Sequence, residues 1–459
     1  MERRFQVRLQ QMMAEAEMVP EQWPDLFQEL EEFVQPFAAM LDTPSQREHL
    51  REYLSGLLSH LGRKNAEAIA YLLDQDRQPL QRFVGQIPWE WEPLIEQLVR
   101  QVAQGLGSPN GVLVVDCSGI PKQGRSSVGA ARQWCGRLGK MENCQVGVYL
   151  AYVGRKEHTL VDFRLYLPKE WSRDRRRRKQ AGVPVGVRFQ TRHQLALQMI
   201  EKHRQVLPHR WIAGDDEMGR NSQFRAQLRA MGEQYLLAVP CNTLIRDLEA
   251  LLASRRSRSS RKPPYQRVEQ WAESATEWRP IEVDLAEPGP VKMQVITRRV
   301  QTRLAARQGP EELLVIFRTL ENGQAVRHDY FLSNAPPGMP LRELVRVWKA
   351  SWRVEECFRR AKSEAGMDQY QVRGWIGWQQ HQVLTLLACW FLVQQKLRGK
   401  WAPSGCRLFY KQYSDYEAAK AAGEMGPVWW GGKLGKAAVV GAQGGQNRRR
   451  VGWWARCAG

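Results

Sequence analysis

The residues best placed to do chemistry are three acids and one dense cluster of charge. Asp116 closes the apolar run VLVVD and is followed by Cys-Ser-Gly. Asp215 closes WIAGD and is followed by Asp-Glu. In an open α/β sheet, sites form at the carboxyl ends of strands. Two carboxylates at adjacent strand ends can hold hard divalent cations, because Mg²⁺ takes a few protein oxygens and shares the rest with water and substrate phosphates. Taken singly, such an aspartate more often closes a turn or caps a helix. Ser118, beside Asp116, reads as a turn hydroxyl.

The third acid lies in WRVEECFRRAK, residues 352–362. Glu355 and Lys362 are seven apart, on one helix face and about 10 Å apart along the axis. Arg359 lies between them. This face offers one carboxylate to a metal and two cations to phosphates. Glu356 points roughly 100° away and is the weaker candidate. The bland alternative is a solvated helix laced with i,i+4 Glu–Arg pairs.

The surrounding elements read as α/β. Residues 1–108 look helical. Thr43-Pro44 opens one helix, Asn65 caps AEAIAYLL, and Pro93 starts LIEQLVRQVAQGL. These helices suit either a DNA-binding domain or a plain bundle. VLVVD, QVGVYLAYV and TLVDFRLYL then read as strands, followed by a helix near 191–206, WIAGD, a helix near 221–231 and YLLAVP. That order gives an α/β sheet over 109–240. Residues 241–335 read as a β-rich insertion with strands at PIEVDL, VKMQVITRRV, ELLVIFRTL and HDYFLS. Residues 336–402 return to helix. The tail, 403–459, has neither period. It has no acid after Glu424 and carries Arg448-Arg449-Arg450. Disorder or a frameshifted end would account for it.

Composition points to a polyanionic partner. The 459 residues hold 68 Lys+Arg against 48 Asp+Glu, a net charge of +20, with pI near 9.8. Nucleic acid is the commonest partner for such an excess. The N-terminus lacks a signal-peptide core, and the longest apolar stretch, 383–393, is too short to span a bilayer. A cytoplasmic, nucleoid-associated protein is expected. Eight scattered cysteines form no CxxC pairs and read as reduced core thiols. SRDRRRRK (172–179) and SRRSRSSRK (254–262) read as basic loops. Their Arg175, Arg176, Arg177, Arg178, Lys179, Arg255, Arg256 and Arg258 could contact phosphates without reading sequence. Trp271 and Trp278, in the insertion, are more simply core residues.

The chain resembles the DDE transposases of bacterial insertion sequences whose helix carries Tyr-x2-Arg-x3-Glu-x6-Lys. WKASWRVEECFRRAK (348–362) fits that frame with Glu355 and Lys362 in register. The likeness covers most of 25–400, through VVDCSGIPKQG, WCGRLGKMENCQVGVYLAY, LYLPKEWSRD, AGVPVGVRFQT, GDDEMGR and GMDQYQVRGW. Two positions depart: Trp348 stands for the Tyr and Ser351 for the Arg. The phosphate contact of that Arg is then missing, or comes from Arg353, Arg359 or another group.

The resemblance implies an RNase H-like core interrupted by the β-rich insertion. It implies Asp116, Asp215 and Glu355 as the catalytic and metal-binding carboxylates, holding two Mg²⁺ or Mn²⁺ ions. It implies a homodimer on double-stranded DNA that cuts at terminal inverted repeats and joins 3′ ends to target DNA. An aromatic in the insertion can hold a flipped base in related enzymes. The rival expectations are an inactive or domesticated copy that only binds DNA, and a general RNase H-like nuclease.

Overall fold

The structure is a computed structural model that describes residues 24–59, 61–250, 263–284, 290–304, 307–321 and 324–399. Arg255, Arg256, Arg258 and the tail fall outside these residues.

Local signals set the helix starts. Thr43 forms a capping box with Gln46 at the head of Pro44–Leu58, and Thr191 forms one with Gln194 at the head of Arg192–His203. Asn65 accepts from the Ala68 N–H to cap Ala66–Leu72. Each cap satisfies an N–H that the helix itself leaves open. Five helices, α1 (Pro24–Ala38), α2 (Pro44–Leu58), α3 (Ala66–Leu72), α4 (Arg77–Gly85) and α5 (Glu92–Leu106), precede the sheet.

The sheet begins with β1 (Val112–Pro121), β2 (Ala131–Cys135), β3 (Lys140–Val153) and β4 (His158–Tyr166). Short helices α6 (Lys169–Arg173) and α7 (Arg175–Gln180) follow, then α8 (Arg192–His203) and β5 (Trp211–Gly214). Next come α9 (Asp216–Arg220), α10 (Ser222–Ala230) and β6 (Tyr235–Ala238). β3 lies antiparallel to β1, and β4 antiparallel to β3. β5 runs parallel to β1, and β6 parallel to β5. The spatial order β4-β3-β1-β5-β6 is therefore a mixed sheet.

Past β6, the chain adds β7 (Leu244–Asp247), β8 (Gln266–Arg267), α11 (Val268–Ser274) and β9 (Arg279–Asp284). Three long strands follow: β10 (Pro290–Leu304), β11 (Arg307–Glu321) and β12 (Gln324–Ser333). They extend the same sheet, because β12 pairs antiparallel with β6. Period-two alternation gives them two apolar faces. Val295, Leu313, Val315, Phe317 and Phe331 join the main core. Ile296, Leu314, Ile316 and Leu332 join a second core with Trp271 and Val268.

Two 23-residue helices close the described chain: α12 (Leu341–Ser363) and α13 (Trp375–Leu397). α13 is buried along most of its length, including His381, whose Nδ1 meets the Tyr53 hydroxyl at 2.9 Å. The early helices, the sheet and α13 share one continuous core, from Leu30 to Val393. Of the cysteines, six are described and all are free thiols.

α12 is fixed at both ends over β1 and β5. Near its start, Glu343 accepts from the Trp211 indole N–H at 2.7 Å, and the Trp348 ring centroid lies 5.2 Å from that of Phe317. Midway, Phe358 packs edge-on against Tyr149 at 5.3 Å. At its end, the buried Lys64 ammonium donates to the carbonyls of Leu57, at 2.6 Å, and Glu364.

Candidate active site

Backbone register alone brings the first two acids together. β1 and β5 pair as far as Val115 and Gly214. Asp116 and Asp215 are the next residues on each strand. In-register parallel neighbours share a face and lie about 4.8 Å apart. Asp215 leaves the strand there and caps α9, its Oδ1 accepting from the Met218 N–H at 3.1 Å. Asp116 does not end its strand, contrary to expectation. β1 continues because β3 pairs with it across Asp116–Pro121. The Asp116 Oδ1 accepts from the Cys117 N–H at 2.6 Å. Ser118 is likewise a mid-strand residue rather than a turn hydroxyl, and its Oγ is buried with no hydrogen-bond partner among the described residues.

The two aspartates repel each other in a half-buried setting. Burial, then Glu355 and Glu217, push the Asp116 carboxyl up to about 7, against the pull of the Cys117 N–H. Burial, then Asp116 and Glu217, hold Asp215 well above the usual carboxylate range. Desolvation and like charge both disfavour the ionised form.

The adjacent Glu355 and Glu356 of α12 divide as their faces predict. Glu356 is tied down by His158 at 3.3 Å, Arg353 at 3.0 Å and Arg360 at 3.4 Å. The close approach of His158 leads in drawing its carboxyl far below the usual range. Glu355 is solvent-exposed and makes no hydrogen bond or ion pair among the described residues. Nearby protein raises its carboxyl, and Arg327 opposes that shift. Arg327 comes from β12, where it also lies 4.7 Å over the Trp352 ring.

The other expected cations differ in their freedom. Lys362 is half-buried, with Nζ 5.4 Å from the Phe358 ring centroid, and it acts on Asp116. Burial lowers its pKa, with Asp368 pulling the other way. Arg353 pairs with Glu356, and Arg359 lies 3.8 Å from Glu364 while staying open. The segment Arg175–Gln180 is the helix α7, not a loop, and the Asp174 side chain caps it. Arg177 stacks on Trp171 at 4.0 Å and donates to Ala130 O at 2.8 Å. Arg178 donates to Val187 O at 2.7 Å. Arg175, Arg176 and Lys179 are exposed. Trp271 is a core residue that donates to Asp247 at 3.0 Å. Trp278 is half-buried beneath Arg318, 3.9 Å from its ring centroid.

Sequence reasoning missed Glu217 as a fourth acid at the site. It follows Asp215 by two residues in α9 and acts on both aspartates. Arg192 holds it through two hydrogen bonds of 2.8 Å. The signal was present in GDDE, which places two more acids in the first turn of the helix that Asp215 caps.

The donor set suits a hard divalent cation: carboxylate oxygens whose mutual repulsion such a charge relieves. Among the described residues, no three His, Cys, Asp or Glu side chains close into a finished ion cage. The two aspartates are held by backbone N–H groups, whereas the Glu355 side chain is untethered among the described residues.

The model of the DDE superfamily endonuclease family matches residues 36–308, well over half of the chain. A probable transposase for insertion sequence element IS701 from Microchaete diplosiphon is 26% identical over 218 residues. That match covers 46% of this chain and 54% of the relative, so the chain spans about half the length of the curated relative it matches. With carboxylates gathered at a parallel strand pair and the family match spanning that pair, the chain belongs to the DDE superfamily of endonucleases.

Proposed function

We propose that this chain is a cut-and-paste DNA transposase with an RNase H-like core. The single observation that carries the reading is the in-register placement of Asp116 and Asp215, with the unpaired Glu355 close enough to act on Asp116. The sheet order β4-β3-β1-β5-β6, extended past β6 by the strands of residues 241–335, supports that core with an insertion. Residues 1–108 would then be a helical DNA-binding domain.

Asp116, Asp215 and Glu355 would hold two divalent ions, Mg²⁺ or Mn²⁺. Bound there, such ions activate a water or a 3′-hydroxyl and stabilise the leaving oxygen of the phosphodiester. The chain's own groups position the substrate. Lys362 places a cation beside Asp116, and Arg353 and Arg359 line the same helix. The exposed Arg175, Arg176 and Lys179 add phosphate contacts. Double-stranded DNA bearing the element's terminal inverted repeats is the substrate, held by a homodimer in the cytoplasm. No described helix is long and apolar enough to cross a membrane.

The test is cleavage of end-bearing DNA in Mg²⁺ or Mn²⁺, with Asp116→Asn, Asp215→Asn and Glu355→Gln as controls. Cutting that all three substitutions abolish supports the reading. Binding without cutting supports a second reading, a DNA-binding copy that has lost activity. The absence of a finished cage among the described residues and Ser351 in the Arg position favour that one. Equal cutting of DNA without the ends would indicate a general nuclease.

A further inference from the structure

A second charged group lies further along β1. The strand runs from Asp116 to Pro121, and Lys122 follows. Six extended residues cover about 20 Å. The Lys122 backbone is held from both sides. Its N–H donates to Asn143 O at 2.9 Å, and its carbonyl accepts from the Asn143 side chain at 2.6 Å. The Lys122 ammonium stands 3.7 Å from the centroid of the Tyr370 ring. Tyr370 is itself buried and anchored by donating its hydroxyl to Gln145 at 2.7 Å. The platform is therefore rigid, and it fixes a lysine that is usually mobile.

Two more cations share this neighbourhood. Asp368, two residues before Tyr370, forms an ion pair with the exposed Arg137. The same carboxylate acts on both Lys122 and Lys362. Lys362 in turn acts on Asp116. One carboxylate is thus paired with Arg137 and acts on Lys122 and Lys362, cations that lead from the acids away along β1. Burial lowers Lys122 to about 8, so holding its charge there favours an anionic partner.

We propose that Lys122 and Arg137, with Lys362 at the inner end, form a track for the backbone phosphates of the DNA strand that enters the carboxylate site. The proposal rests on the reading given above. Asp368 positions the cations and keeps Arg137 over the track until phosphate replaces it. Because Lys122 directly follows the strand that carries Asp116, and its backbone is hydrogen-bonded to Asn143, their spacing is set by backbone pairing.

The test reads binding alone, with the full chain and a fluorescent duplex of mixed sequence in EDTA across a salt series. Neutralising one phosphate contact lowers the slope of log K against log salt by about 0.9. Lys122→Gln and Arg137→Gln are each expected to lower it by about that amount, and the double variant by about twice as much. Lys122→Arg is expected to retain the slope, and Asp368→Asn to tighten binding. Lys202→Gln, a cation already paired with Glu96 at 3.1 Å, is expected to leave the slope unchanged. Thermal melts establish that each variant is folded. A steep wild-type slope that the folded double variant retains overturns the track alone. A slope that Lys202→Gln lowers as much also overturns it, since the effect would then be general charge. Wild-type protein whose binding does not depend on salt overturns the track and the DNA reading together.

Discussion

Helices α12 and α7 look alike in the sequence, each a short stretch crowded with charge, yet the fold treats them differently. On α12, one glutamate is bound into a cage of His158, Arg353 and Arg360 while its neighbour Glu355 is left open. On α7, Arg177 and Arg178 are turned inward onto backbone carbonyls, and Arg175 and Arg176 remain outside. Charge density does not tell which groups are available. Availability is decided by what lies opposite each face, and that is a tertiary property.

The contrast on α12 gives the largest expected effect. Glu355→Gln should lower metal-dependent cleavage by about a thousandfold, since several kcal/mol of charge stabilisation is at stake and each 1.4 kcal/mol is about tenfold. Its urea midpoint should stay near wild type. Glu356→Gln should do the reverse, losing about 2 kcal/mol in urea unfolding because charged hydrogen bonds to buried partners are removed. Cleavage per folded molecule should persist. If both variants lose activity and neither loses stability, the division of the two glutamates is wrong.

The same split on α7 is smaller. Arg177→Ala should cost about 1 kcal/mol in urea unfolding, from the carbonyl contacts to Ala130 and Arg125 and the stack on Trp171. Arg175→Ala and Arg176→Ala should leave stability unchanged and lower the salt slope of DNA binding by about 0.9 each. Equal salt effects at Arg175 and Arg177 would erase the distinction.

The last effect concerns Asp116 in metal-free buffer. Its folded pKa is raised from 3.8 to about 7. The stability it contributes is therefore complete below about pH 4 and is lost as pH rises through about 7. Asp116→Asn lacks this loss. Its melting temperature should match wild type near pH 4 and exceed it by a few degrees near pH 7.5. Added Mg²⁺ should raise the wild-type value and leave the variant unmoved. A wild type that melts higher than Asp116→Asn at every pH would remove Asp116 from the strained pair.

Much of the core was legible because its signals are local. Buried parallel strands read as continuous apolar runs, as in VLVV and WIAG, and helix starts read from Thr43-Pro44 and Asn65. The seven-residue spacing from Glu355 to Lys362 survives as one helix. What stayed hidden depended on distant partners. The continuation of β1 past Asp116 through CSGIP is set by pairing with β3. β2, with sequence ARQWC, is a strand only because Lys140–Cys144 lies beside it. The arginine that acts on Glu355, Arg327, sits on another element altogether. No spacing rule along the helix could have pointed to it.

The pairing of β12 with β6 bears on how this architecture can be dismantled. Phe331, Leu332 and Ser333 cover the outer rim of Ala238, Leu237 and Leu236. Excising residues 241–335 would strip that rim and expose unbonded amides on an apolar ribbon, a template for self-association. The excursion therefore acts as a built-in seal, and a trimmed variant is expected to precipitate unless a replacement strand shields β6.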